Sequence, residues 1–221
     1  MDDASYKPAP QVLDAIKHVR LVGVVGPTGA GKTTLMEAAI ARDPQLHLVL
    51  SDTNRPPRAE EQDGVDYHFR SRPEILARMQ RAAYVQMPPN YTGHLYATAP
   101  ESYTADGISI MAIIADAIPA FRALPFKTMR IIFITPPDFK TWQARLHGER
   151  NALDKRLAEA CRSFAFALQD EHTTFIINDN LTTATTELLH LAHGRSPTPK
   201  LQADQSCGRA LVANLLMRIA E

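Results

Sequence analysis

Eight consecutive residues limit what this chain can fold into more than any other stretch: Gly26-Pro27-Thr28-Gly29-Ala30-Gly31-Lys32-Thr33. They fill the pattern G-x-x-x-x-G-K-[ST] at every fixed position. The run before them, Leu21-Val22-Gly23-Val24-Val25, is short and apolar and reads as a strand. The run after them, Thr34 to Arg42, carries helix formers with apolar residues at i, i+3 and i+4. Strand, glycine loop and helix together form the setting in which such a loop cradles phosphate. Glycines at 26, 29 and 31 let backbone N–H groups approach an anion without a Cβ in the way. The following helix presents unpaired N–H groups and the positive end of its dipole. Lys32 supplies a point charge for the outer phosphates, and the Thr33 hydroxyl suits Mg²⁺. The stretch predicts nucleoside triphosphate binding.

The 221 residues suit one α/β domain with a small insertion or two, and 45% hydrophobic content is enough for a core. Twenty-four basic residues balance 24 acidic ones, so charge gives no argument for a nucleic-acid groove or an anionic membrane as partner. No apolar run approaches the length of a membrane span. The start, Met1-Asp2-Asp3, does not read as a signal peptide, and a cytoplasmic location is expected. Cys161, Cys207 and the histidines have no ligand-like spacing, and Trp142 reads as core.

Helices are expected over 10–19, 73–83, 139–147, 153–168, 181–193 and 208–220, and strands over 46–50, 91–97, 108–115, 130–135 and 174–177. Pro88-Pro89-Asn90 marks a turn, and residues 194–206 read as a linker. The alternation predicts a parallel, doubly wound α/β sheet of about five strands. The last helix has an apolar face (Leu211, Leu215, Leu216, Ile219) that docks either on its own core or on a second copy of the chain as a homodimer.

A second constellation lies between 51 and 69. Arg55 and Arg58, three apart and held by Pro56-Pro57, can fork one phosphate, and Tyr67 can add a hydroxyl. A solvated polar loop with a turn at Asp63-Gly64 is the plain alternative.

Together with the phosphate loop, this segment resembles the guanylate kinase family, whose pattern reads S-x-x-T-R-x-x-R-x-x-E-x-x-G-x-x-Y-x-F. Ser51, Arg55, Arg58, Glu61, Gly64, Tyr67 and Phe69 match in register, with Asn54 in place of the threonine. Gly93, Tyr96 and Thr98 resemble the family's G-N-x-Y-G-[ST], from which His94 and Ala97 depart. Arg145-Leu146, Arg150 and Arg156-Leu157 resemble its lid arginines, Pro136-Pro137 its strand-closing prolines and Asn178-Asp179 its late N-D. The resemblance spans about residues 20 to 193.

It implies Mg²⁺-dependent phosphoryl transfer from ATP to a nucleoside monophosphate. Gly26, Thr28, Gly29, Ala30, Gly31, Lys32, Thr33 and Thr34 would hold ATP, with Thr33 on the metal. Arg55, Arg58, Tyr67 and Tyr96 would hold the acceptor phosphate, and Ser51 and Thr98 its base. Lys32, Arg145, Arg150 and Arg156 would be catalytic. Residues 1–193 would form the kinase domain, with an acceptor subdomain at about 51–104 and a lid at about 145–156, and 194–221 a linker and helix.

The likeness breaks at the base. Counting back from Tyr96, the family's glutamate falls on Met87, and its two strand aspartates fall on Ala112 and Ile114 or on Ile113 and Ala115. Gln86 is expected to point the other way, because strand faces alternate. Asp116 would substitute only if its strand ran on by a residue or two. Hydrogen bonds to charged groups contribute about 1.5–3 kcal/mol each, so an altered base specificity is expected. A sugar phosphate acceptor and a non-catalytic binding module are the alternatives.

Overall fold

In the computed structural model, residues 6–87, 93–146 and 150–220 are described, with only the backbone for 150–153 and 220. The elements in order are α1 (Pro10–Ile16), β1 (Arg20–Val25), α2 (Lys32–Arg42), β2 (Leu46–Leu48), β3 (Asp52–Thr53), β4 (His68–Phe69), α3 (Arg72–Gln80), β5 (Tyr96–Ala97), β6 (Ile108–Ala112), α4 (Ile118–Arg122), β7 (Thr128–Thr135), α5 (Phe139–Arg145), α6 (Arg150–Gln169), β8 (Thr174–Ile177), α7 (Leu181–Ala192) and α8 (Pro199–Ala220). A five-stranded parallel sheet has the order β2-β6-β1-β7-β8, and a three-stranded sheet the order β4-β3-β5. The near-continuous apolar runs of β1 and β7 are buried, as strands covered on both faces require. Chain contacts divide the molecule into two compact units.

One unit comprises 22–44, 112–116 and 130 onward. β7 and β8 pair in parallel from Ile132↔Thr174 to Thr135↔Ile177. Phe133 meets Phe175 and Phe164 at ring centroid distances of 5.8 and 6.2 Å, and Trp142 meets Phe164 at 5.5 Å. β8 is the edge of its sheet, and α8 covers that edge. The Gln205 amide donates from Nε2 to the carbonyl of Phe175 and accepts from its N–H, at 2.7 and 3.1 Å. Asp204 Oδ2 accepts from Ile177 N at 3.0 Å. Arg209 caps the end of α6 by donating to the carbonyls of Ala167, Leu168 and Asp170. An edge strand left bare would template pairing with other chains. The helix expected over 208–220 thus begins at Pro199, inside the stretch expected as a linker, and it buries Leu201, Val212 and Leu215; of the apolar face expected from the sequence only Leu215 is buried, while Leu211, Leu216 and Ile219 are half-buried.

The other unit comprises the N-terminal residues to 21, 45–111 and 117–129. In its small sheet β3 pairs antiparallel with β5 (Asp52↔Ala97, Thr53↔Tyr96) and parallel with β4. One face packs on Ile75, Met79, Tyr84, Met87, Leu95, Ala97 and Ala99. Helix α3 starts in a capping box of Ser71 and Glu74. Asp52, buried beneath the sheet, accepts from the Tyr84 hydroxyl at 2.7 Å and pairs with Arg78 at 3.5 Å; Arg78 also pairs with Glu101.

Strand β6 ends at Ala112, three residues before the expected 115, and a 3-10 turn at Ala115–Ala117 follows. The turn at 88–90, the start of the strand expected over 91–97, lid positions 147–149 and the Arg150 side chain lie outside the described residues.

Candidate active site

The phosphate loop leaves β1 at Val25 and enters α2 at Lys32. Gly26 has φ +143°, and a Cβ there would lie 2.2 Å from the carbonyl oxygen of Ile134 in β7. Gly31 caps α2 with φ +89°, and a Cβ there would lie 2.4 Å from Asn178 Nδ2. Only glycine fits either position. A cavity of about 560 Å³ is lined by Thr28, Gly29, Gly31, Lys32, Thr33 and Thr34 from the loop and α2, and by Arg145, Asn178, Asp179 and Leu181. Gly26 and Ala30 shape the loop from behind; Ala30 is buried and its N–H donates to Pro27 O at 3.1 Å.

Lys32 Nζ donates to the carbonyls of Gly26 and Pro27 at 2.5 and 3.0 Å. Burial pulls its pKa down, opposed by the negative charge of Glu159. Glu159, on α6, was not singled out in the sequence. Its Oε2 accepts from the N–H and hydroxyl of Thr28 at 3.0 and 3.1 Å, and its Oε1 from Ser163 at 3.0 Å. Trp142 is core as expected, and its indole N–H also donates to Thr28 O at 2.8 Å. Asn178 Nδ2 donates to Ala30 O at 2.8 Å, and Arg145 approaches Asn178 O at 3.4 Å. Arg156 lies three residues before Glu159 on the same helix, so both project from one side of α6.

The residues present fit a magnesium ion held mainly by phosphate oxygens and water. Thr33 brings one hydroxyl to the cavity, and among the described residues no group of three His, Cys, Asp or Glu gathers to form a protein cage. The strand extension that would bring Asp116 into the place of the strand carboxylate is not present: β6 ends at Ala112, and Asp116 pairs with Arg162 at 3.2 Å.

In the other unit Glu61 organises the two arginines. Arg55 Nη2 pairs with Glu61 Oε1 at 2.7 Å, and Glu61 Oε2 accepts from Arg58 N at 2.8 Å. The carboxylate holds the Arg55 pKa above its usual range, and Arg55 in turn pulls Glu61 down. The Arg55 guanidinium lies 5.4 Å from the Tyr67 ring centre, and Tyr67 and Tyr96 meet edge-on at 6.0 Å. Arg55, Tyr67 and Tyr96 thus come together, while the Arg58 side chain is 75% exposed and reaches Glu61 only at 3.7 Å. Asn54, the departure from the family pattern, accepts from Leu95 N at 2.6 Å and so ties the arginine loop to the β5 segment.

Gln86 and Met87 face opposite ways, as strand alternation predicts. Gln86 and Thr98 are bridge partners in an antiparallel pair. Directly opposed residues share a face, so Gln86 projects with Thr98, and Met87 projects into the core, where it is 2% exposed. One further step along the β3–β5 register places Ser51 opposite Thr98 on the same row. On the central strand's end, Ile113 and Ala115 are buried at 4%, whereas Ala112 is exposed and Ile114 is 38% exposed. Ala112 and Ile114 are therefore the outward pair.

The guanylate kinase family model matches residues 18–193. A guanylate kinase of Rubrobacter xylanophilus is 34% identical over 185 residues, covering 80% of this chain and 94% of its own length. One of a Synechococcus species is 34% identical over 187 residues, covering 80% and 84%. The crystal structure of guanylate kinase from Anaplasma phagocytophilum shares the fold, with a TM-score of 0.60 at 18% identity over 85% of this chain and 86% of that one. With a phosphate loop, a paired-arginine segment and this extent of similarity, the chain belongs to the guanylate kinase family.

Proposed function

We propose a division of roles for a chain that, as a guanylate kinase family member, is an ATP-dependent nucleoside monophosphate kinase. Gly26 to Thr34 hold the donor phosphates. Lys32 exchanges the carbonyls of Gly26 and Pro27 for phosphate oxygens, which are stronger acceptors for an ammonium group. Arg145, Arg150 and Arg156 gather around the transferring group. Arg55, Arg58, Tyr67 and Tyr96 hold the acceptor phosphate, with Ser51 and Thr98 on its base. Magnesium, when bound with the Thr33 hydroxyl among its ligands, offsets the charge that builds on the phosphate oxygens. An oxygen of the acceptor phosphate attacks the γ-phosphorus in line, and the bond to the bridging β-oxygen breaks, leaving ADP and a nucleoside diphosphate. Such a transfer asks the protein for positioning and positive charge more than for covalent chemistry.

The observation that carries this reading is the lysine amine turned into a glycine cradle that opens on a cavity lined by Thr33 and Arg145. A coupled ADP-release screen with GMP, dGMP, AMP, CMP, UMP, IMP and ribose phosphates tests it. Turnover with at least one nucleoside monophosphate, abolished by Lys32→Ala in a folded protein, is expected. Unimpaired turnover in that variant would remove Lys32 from the mechanism. Arg55→Ala is expected to weaken acceptor binding with little effect on ATP affinity.

A further inference from the structure

Gln86 is 7% exposed, and among the described residues its Oε1 has no hydrogen-bond partner. A buried acceptor left unpaired is unfavourable, and native structures rarely tolerate one without a reason. Gln86 shares a face with Thr98, its bridge partner, and with Ser51, turned away from the core cluster of Met87, Leu95 and Ala97. Tyr96, two residues before Thr98 and on the same face, packs against Tyr67 of the arginine cluster.

Tyr103 settles which way the neighbouring hydroxyl points. Its phenol donates to Thr98 Oγ1 at 2.8 Å, and burial raises its pKa, so it keeps that proton. A hydroxyl that accepts from a phenol has its own proton left to give. The row therefore offers a donor at Thr98 and, beside it, an acceptor at Gln86. Its complement is a base edge with a carbonyl next to an N–H, an order carried by a 6-oxopurine (O6/N1–H) and by uracil (O4/N3–H); of the two, the purine is the one that fits a guanylate kinase family member. Adenine presents the opposite order at these positions.

We infer that Gln86 is the residue that reads the acceptor base, that its carboxamide takes the N1–H of a 6-oxopurine nucleotide, and that it does not select for a 2-amino group. This rests on the kinase reading above. A carboxylate could accept from N1–H and from a 2-amino group with its two oxygens. A carboxamide has one oxygen; its other arm is an NH₂, a donor that gains nothing from a second donor. GMP and IMP should then be bound alike.

The test is calorimetric titration of the full chain and its Gln86→Glu and Gln86→Leu variants with GMP, IMP and AMP, followed by kcat/KM for each nucleotide. In the unaltered chain GMP and IMP should bind within about threefold of each other and AMP at least about tenfold more weakly. Gln86→Glu should shift the GMP-to-IMP ratio toward GMP by about tenfold or more, and Gln86→Leu should weaken both by a similar factor. Thermal unfolding gives an independent reading: Gln86→Leu removes an unpaired oxygen and should leave Tm unchanged or raised. A ratio unmoved by Gln86→Glu, or affinities unmoved by Gln86→Leu, would overturn the assignment while phosphorylation continued. Absence of turnover with every nucleoside monophosphate in the unaltered chain would instead bring down the kinase reading and this one with it.

Discussion

The side-chain amide of Asn178 donates to the carbonyl of Ala30 at 2.8 Å, joining the end of β8 to the phosphate loop. Asn178 is 7% exposed, and its own carbonyl faces Arg145. Asn178→Ala leaves the Ala30 carbonyl unpaired and should lower stability by about 1–3 kcal/mol in urea unfolding. ATP affinity should fall, and acceptor affinity measured without ATP should not. A variant with unaltered ATP binding would reduce Asn178 to packing.

Glu159 occupies the N–H and hydroxyl of Thr28 in the loop proposed to hold the donor phosphates. Its carboxylate and a phosphate compete for the same donors and repel each other. Glu159→Gln should therefore tighten ATP binding by about threefold to tenfold, an effect that salt diminishes. Weaker binding would mean instead that the carboxylate holds the loop in its working shape.

Lys32 carries a pKa lowered by its burial in the loop. A bound triphosphate stabilises the ammonium and raises that value again. The bound state then holds more protons than the free state in the window between the lowered value and the restored one. ATP binding should take up protons there, and affinity should decline as pH rises through the free-state value. Calorimetry across a pH series, in two buffers of different ionisation enthalpy, measures the uptake. Lys32→Arg, which does not titrate in this range, should abolish it.

The family model stops at residue 193, yet α8 buries Leu201, Val212 and Leu215 and satisfies the edge of β8 through Asp204 and Gln205. Burying each such apolar side chain contributes about 1.5–3 kcal/mol. Three together are comparable to the whole stability of an ordinary domain, about 5–15 kcal/mol. A chain cut after 193 should fail to give a soluble monomer. The milder Asp204→Ala, which strands Ile177 N–H and removes the nearer of the two carboxylates paired with Lys200, should lower Tm by several degrees. A truncated chain with the full-length Tm would show that the helix is an appendage.

What the order of residues determined by itself was everything local. The loop Gly26–Thr33 between an apolar strand and a helix, the alternation that builds a parallel sheet, and the arginine segment from 51 to 69 all follow from spacing and period within a few turns of chain. The tertiary structure decided which distant atoms meet. Thr28 finds Glu159 and Trp142 at separations of 131 and 114 residues, and Ala30 finds Asn178 at 148. The same holds for the base-reading row. A strand's side chains alternate faces, so one residue of register exchanges Met87 for Gln86 beside Thr98, and that register is set by the hydrogen-bonded pairing of two segments and by the core that claims Met87. That the end of the chain forms an apolar helix was visible in the sequence, but which residues it buries and against what were not, because any buried surface can cover it until packing and the unpaired edge of β8 select one.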